Sequence, residues 1–211
     1  MNLRAQLDEV VARHGPWTAH NMELADGLFT ISPAPAGDEV KLRRVVQLVS
    51  DLLGGQLAGA RVLDLACLEG MYALELARRG ARVTAIEGRE QNLAKAQFAA
   101  TALGLEVDFQ LGDVRQLSRQ EHGEFDVVLC LGILYHLDAP DVFVFLERLA
   151  EVCDGLCVLD THVTDSTAER FSHGGRSYRG RSFAEPDTSD PLAQDTLWAS
   201  LDNPRSVVLT R

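Results

Sequence analysis

Basic residues are scarce in this sequence: 20 Lys and Arg stand against 31 Asp and Glu, a formal net charge of -11 over 211 residues. A chain this acidic repels a phosphate backbone and lacks the electrostatic footprint of a nucleic-acid binder. Its densest basic clusters, Arg43 with Arg44 and residues 176–181, are short, and a solvated helix face explains the first as well as a ligand does. Long apolar runs are missing too. None approaches the roughly 18 to 20 residues that span a bilayer. The first fifteen residues hold no secretory apolar core and pattern as an amphipathic helix, so a cytoplasmic protein is expected. Four cysteines (Cys67, Cys130, Cys153, Cys157) form no CxxC pair, and no histidine sits at zinc-finger spacing. Reduced structural thiols are expected rather than a metal or redox site. What is present is ordinary: 46% hydrophobic and 24% charged residues, at a length that suits one α/β domain with appendages.

The stretch 60–89 organises the rest. Val62 to Leu65 is an apolar run interrupted only by Asp64; a short loop follows, then apolar positions at helical spacing (Met71, Leu74, Leu76, Ala77). Gly80 closes that helix, and Val83 to Ile86 form a second apolar run ending at Glu87. The unit reads as βαβ with a right-handed crossover. Asp64 and Glu87 then end neighbouring parallel strands, on the edge where open α/β sheets bind ligands and where a helix start offers unpaired N–H groups.

Ahead of this unit the pattern predicts a helix over 3–13, a small hairpin about Ala25-Asp26-Gly27, a loop at Pro33, Pro35 and Gly37, and a helix from Asp38 carrying Val45, Leu48, Val49, Leu52 and Leu53. Residues 1–59 read as a cap over the sheet edge. After the unit comes a helix over 89–103, with Leu93, Ala96, Ala100 and Leu103 on one face. Strict alternation from Leu105 to Leu111 then suits an edge strand. Phe125 to Leu131 and Leu156 to Leu159 are nearly continuous apolar runs, as expected of interior parallel strands, with a helix between them opened by a capping carboxylate in Asp138-Ala139-Pro140-Asp141. The predicted fold is a doubly wound, mostly parallel α/β sheet of order 3-2-1-4-5 over 60–162. Residues 163–211 read as an irregular excursion in which only Val207 to Leu209 resembles a strand, leaving the sheet edge near the fifth strand incompletely covered.

A ligand loop lies at Asp64, Ala66, Cys67, Leu68 and Gly70, where only Gly70 stands in place of the three glycines of a DxGxGxG loop. An acid ending the first strand repels a pyrophosphate but suits a cationic amino-acid ligand; its plainer reading is a helix cap. Glu87, before Gly88, can accept from a ribose diol or cap the next helix. Asp113 can accept from an adenine amino group while the Val114 N–H meets a ring nitrogen.

The segments VLDLACLEG (62–70), VTAIEGRE (83–90), LGDV (111–114) and FDVVLCLGILYHLDAP (125–140) resemble, in order and spacing, the successive motifs of class I S-adenosylmethionine-dependent methyltransferases. The resemblance spans 60–162. It implies that S-adenosylmethionine is the cofactor, with Asp64 and the Ala66 to Gly70 loop at its methionine end, Glu87 at the ribose, Asp113 and Val114 at the adenine, and the Leu131-Gly132 backbone near the ammonium. Family members usually finish with a further helix and an antiparallel strand pair, and against that pattern the C-terminus looks truncated. The GILYHLDAP segment is similar to that of wobble-uridine tRNA-modifying methyltransferases, although the acidic chain argues against that substrate. Tyr135, His136 and His162 converge beyond the fourth and fifth strands; a histidine there can deprotonate an acceptor, or simply pack. Methyl transfer to oxygen or nitrogen of a small molecule is the leading expectation. An inactive cofactor-binding scaffold or partner subunit is the alternative. A nicotinamide-dependent oxidoreductase is opposed by Asp64 and the missing glycines.

Overall fold

The structure is a computed structural model that describes residues 2–33, 38–186 and 189–211. Helix α1 (Leu3–His14) is capped by the Asn2 side chain, which accepts from the Ala5 N–H, and is closed by Gly15. Strands β1 (Glu23–Ala25) and β2 (Leu28–Phe29) form the small hairpin. The loop positions Pro35 and Gly37 lie outside the described residues. Helix α2 (Asp38–Leu52) buries Val45 and Val49, but Leu52 is 63% exposed, so its apolar stripe is narrower than the spacing predicts.

The core then alternates strand and helix: β3 (Arg61–Leu65), α3 (Met71–Arg78), β4 (Arg82–Glu87), α4 (Glu90–Leu103), β5 (Asp108–Leu111), the single turn α5 (Arg119–His122), β6 (Phe125–Leu131), α6 (Asp141–Val152) and β7 (Cys153–Asp160). All pairings are parallel and the order is β5-β4-β3-β6-β7, which is 3-2-1-4-5 counted within the sheet. Successive side chains of a strand point to opposite faces, and both faces are covered. Val62, Val83, Val127 and Leu129 pack with α1, α2, α3 and α4; Leu63, Leu65, Val128 and Cys130 pack with α6. Burial on both faces is why β3 and β6 read as continuous apolar runs.

Three expectations are corrected. β7 is the other edge of this sheet rather than an interior strand, and its Leu159 is 46% exposed. No carboxylate among the described residues caps α6: its cap position is Pro140, while the Asp138 carboxylate accepts the Ala139 N–H and pairs with Arg205. The third concerns residues 163–211, which are not irregular. They form β8 (Glu169–His173), β9 (Arg176–Ala184), the short helix α7 (Gln194–Trp198) and β10 (Arg205–Leu209), with the strands in a separate antiparallel sheet of order β10-β9-β8. Gly174 and Gly175, both at positive φ, turn the hairpin between β8 and β9, a glycine pair that is itself a strong hairpin signal. Polar and small residues on the covered face, among them Glu169, His173, Gly180 and Ser182, hid the alternation. On that same face Phe171 and Tyr178, paired across the strands, pack on Phe143 of α6.

Candidate active site

The loop after β3 turns through three residues of positive φ: Ala66 at 54°, Leu68 at 52° and Gly70 at 83°. The non-glycine residues thus take the left-handed conformation that glycines take more cheaply. Hydrogen bonds hold them there. The Cys67 N–H donates to the Ile86 carbonyl at 3.0 Å, and the Leu68 N–H to Glu87 Oε2 at 2.8 Å. Gly70 does not line the cavity; a Cβ on it would lie 2.9 Å from that of Ala96, so it sets how closely loop and α4 approach.

Asp64 and Glu87 end up side by side at the strand ends, 2% and 5% exposed. Burial pushes the Asp64 carboxyl up to about 7, with the Glu87 charge adding to it and the Ala73 N–H of α3 drawing it back. Burial likewise pushes Glu87 up to about 7, against the N–H groups of Arg89 and Leu68 and the Asn92 amide. Asp64 Oδ2 is buried with no hydrogen-bond partner among the described residues. An orphaned, poorly solvated carboxylate oxygen facing a cavity is a site made for a cation.

That cavity, about 670 Å³, is lined by every residue singled out from the sequence except Gly70, including Gly88, Leu131 and Gly132. Val114 starts a 3-10 turn capped by the Asp113 side chain, and both Asp113 oxygens also engage Arg115, which reaches on to Asp202 at 2.7 Å. Asp113 is thus shared between the turn and an ion pair rather than left free. Across the cavity the Tyr135 ring stacks on His162 at 4.1 Å and tilts against His136 at 4.5 Å. Burial, with Asp160 and Glu185, pushes the Tyr135 phenol above its ordinary value, so it stays protonated at neutral pH. His136 Nδ1 lies 3.2 Å from Glu185 Oε1.

Sequence reasoning missed two groups. Glu69, inside the quoted motif, is fully buried and accepts from the N–H groups of Thr18, Ala19 and His20 and from Lys95 Nζ at 3.0 Å. Lys95 also donates to the Pro16 carbonyl. The pair fastens residues 16–20 across the loop and brings the His20 ring to the Met71 N–H at the start of α3. The second group is C-terminal. Arg89 Nη2 donates to the Ala199 and Ser200 carbonyls, Asn92 to that of Leu197, and Leu201 packs on Gly88, so residues 197–201 roof the cavity beside Glu87. A charge buried on an apolar helix face was the one sequence signal for the first group; the second had only α7's apolar Leu197 and Trp198.

Residues 62–154 match the family model described as a methyltransferase domain. Together with the β5-β4-β3-β6-β7 sheet, that match supports a class I methyltransferase reading of this stretch. Among its relatives, the ubiquinone biosynthesis O-methyltransferase of Maricaulis maris is 39% identical over 85 residues, covering 40% of this chain and 34% of that protein. The corresponding enzyme of Azotobacter vinelandii is 42% identical over 85 residues, 40% of this chain and 37% of that protein. This chain therefore spans little more than a third of the length of the curated relatives it matches. The N-terminal domain of EvdMO1, solved in the presence of SAH and D-fucose, matches 100% of this chain and 82% of that one at a TM-score of 0.76 and 28% identity. That likeness reaches past the methyltransferase domain into the cap and the C-terminal sheet.

Proposed function

We propose that the cavity binds S-adenosylmethionine and directs its methyl group to a hydroxyl of a polar small molecule. The observation that carries this reading is the single cavity in which the buried Asp64 and Glu87 carboxylates face the Tyr135, His136 and His162 cluster. The unpartnered Asp64 Oδ2 fits a ligand that carries cationic charge, and Glu87 lies where a ribose diol can donate to it. S-adenosylmethionine supplies a methyl on a sulfonium, whose transfer to oxygen breaks the C–S bond with its electron pair left on sulfur. The chain has to hold the reactants in line, exclude water and take the acceptor's proton. Residues 16–20 and 197–201 exclude water from the two ends. Of the two histidines, His136 is backed by a buried carboxylate, while His162 is exposed and stacked on Tyr135, so His136 is the proposed base and His162 with Tyr135 a platform for the acceptor.

Support for an oxygen acceptor comes from the O-methyltransferase relatives. A sugar hydroxyl is the first class to test, because the full-length likeness is to a domain solved with D-fucose and the acceptor end pairs flat rings with polar groups. The chain's acidity opposes a tRNA substrate. Release of S-adenosylhomocysteine against a panel of sugars, phenols and amines tests the reading. Turnover only with amines would move the acceptor to nitrogen, and absence of cofactor binding by calorimetry would sink the proposal.

A further inference from the structure

Glu185 reaches the cavity from the position after β9, in the stretch whose sequence offers no periodicity. Its side chain is 2% exposed. Oε2 accepts the Ser200 N–H at 3.1 Å, Oε1 accepts from the Ser206 hydroxyl, and His136 Nδ1 stands 3.2 Å from Oε1 and 3.4 Å from Oε2. Ser206 is itself fully buried. A buried carboxylate is costly unless its oxygens are well supplied with donors, and beyond the two serines the His136 ring nitrogen is within hydrogen-bond reach of both oxygens. The backbone there is fixed, since the His136 carbonyl accepts from the Asn203 amide and the Val207 N–H of β10 donates to the Leu137 carbonyl.

We propose that Glu185 is a positioning residue that holds His136 as the Nδ1–H tautomer and so presents a bare Nε2 to the cavity. This rests on the methyl-transfer reading for what Nε2 then does: it takes the acceptor's hydroxyl proton as the new C–O bond forms, and the imidazolium produced is stabilised by the ionised Glu185, which does not take the proton. The other ionisable groups facing the pair are Tyr135 and His162 beside the ring, Asp160 with its partner Lys41, and Arg89 near Glu185. Because Ser200 shares the carboxylate, the roof over the cofactor end and the base at the acceptor end meet in one side chain.

Nitrogen-15 imidazole spectra of the full chain, with His136 assigned by its loss in His136→Gln, read the tautomer directly. The expected result is a protonated Nδ1 in the neutral wild-type ring. Glu185→Gln removes the fixed acceptor for Nδ1–H, so the spectra show a mixture of tautomers, and kcat drops by about 10²-fold, the lower end of a general base's contribution. S-adenosylmethionine affinity stays at the wild-type value, and Glu185→Asp recovers part of the loss. An Nε2–H tautomer in the wild type, or the wild-type tautomer kept unchanged in Glu185→Gln, overturns the proposal while leaving methyl transfer standing. The wild-type tautomer needs no variant to fold, so a collapsed Glu185→Gln does not shelter the idea. Conversely, the expected tautomer without any S-adenosylhomocysteine release overturns the methyl-transfer reading alone.

Discussion

Asp64 and Glu87 are buried acids whose carboxyls titrate near neutrality, and that sets the pH behaviour of the proposed cofactor end. Both folded values, about 7, lie above the ordinary carboxylate range. The empty fold therefore takes up protons on forming: the stability these groups contribute is complete below about pH 4 and is lost as pH rises toward 7. A cationic ligand needs the ionised form. At pH 6 a carboxyl of pKa near 7 is mostly protonated, so S-adenosylmethionine should bind roughly tenfold more weakly there than at pH 7.5, with protons released on binding. Calorimetry in buffers of different ionisation enthalpy measures both; a flat affinity would mean that neither carboxylate meets the cation. Glu87→Ala should weaken binding by about 1 to 3 kcal/mol, the cost of leaving buried hydrogen-bonding groups without a partner. That variant also strips the acceptor from the Leu68 and Arg89 N–H groups, so its melting temperature must be measured beside its affinity. Undiminished affinity would remove Glu87 from the ribose.

At the scale of elements, strand, loop and helix were legible in 60–89 because burial on both faces writes continuous apolar runs and a helix writes its own period. The loop's conformation was less so, since Ala66 and Leu68 carry no outward sign of positive φ. Their hydrogen bonds to neighbouring elements impose it. Ala66→Gly should then be neutral or stabilising by up to about 1 kcal/mol, relief of left-handed strain being offset by glycine's backbone entropy. Gly70→Ala should cost about 2 to 4 kcal/mol, combining that strain with a Cβ forced onto Ala96. Urea unfolding of the two variants checks the contrast, and a destabilised Ala66→Gly would show that position 66 does not need the left-handed region. The β8–β9 hairpin was missed for a different reason: its Gly174-Gly175 turn was visible, but Glu169, His173, Gly180 and Ser182 on the covered face broke the apolar half of the pattern expected of a strand.

Over the whole molecule, the cavity floor comes from the central sheet and its closure from both ends of the chain, which is why a motif reading found the floor and not the closure. Glu69 and Lys95 show the difficulty: each alone reads as a solvated charge, and only the fold brings them together across 26 positions, both fully buried. We propose that this pair makes residues 16–20 part of one cooperative unit with the core rather than a cap that unfolds by itself. Burial pushes the Glu69 carboxyl up, but the Lys95 and His20 charges and its hydrogen bonds outweigh that and hold it below the ordinary value. Lys95→Ala leaves the anion buried beside three N–H donors, and losing one partner of a buried pair typically costs about 3 to 5 kcal/mol. The sign with pH follows. A depressed carboxyl contributes stability above its unfolded pKa and loses it as pH falls through the folded value, so the gap between wild type and variant should be widest near neutrality and close in acid. Urea unfolding in a Trp198→Phe background, followed by Trp17 fluorescence for the cap and by far-ultraviolet dichroism for the whole, should give coincident transitions when Lys95 is intact. In Lys95→Ala the two should move together to lower urea. If Trp17 instead released first with Lys95 intact, the clasp would not be holding the cap, and residues 16–20 would not close this end of the cavity in a stable way.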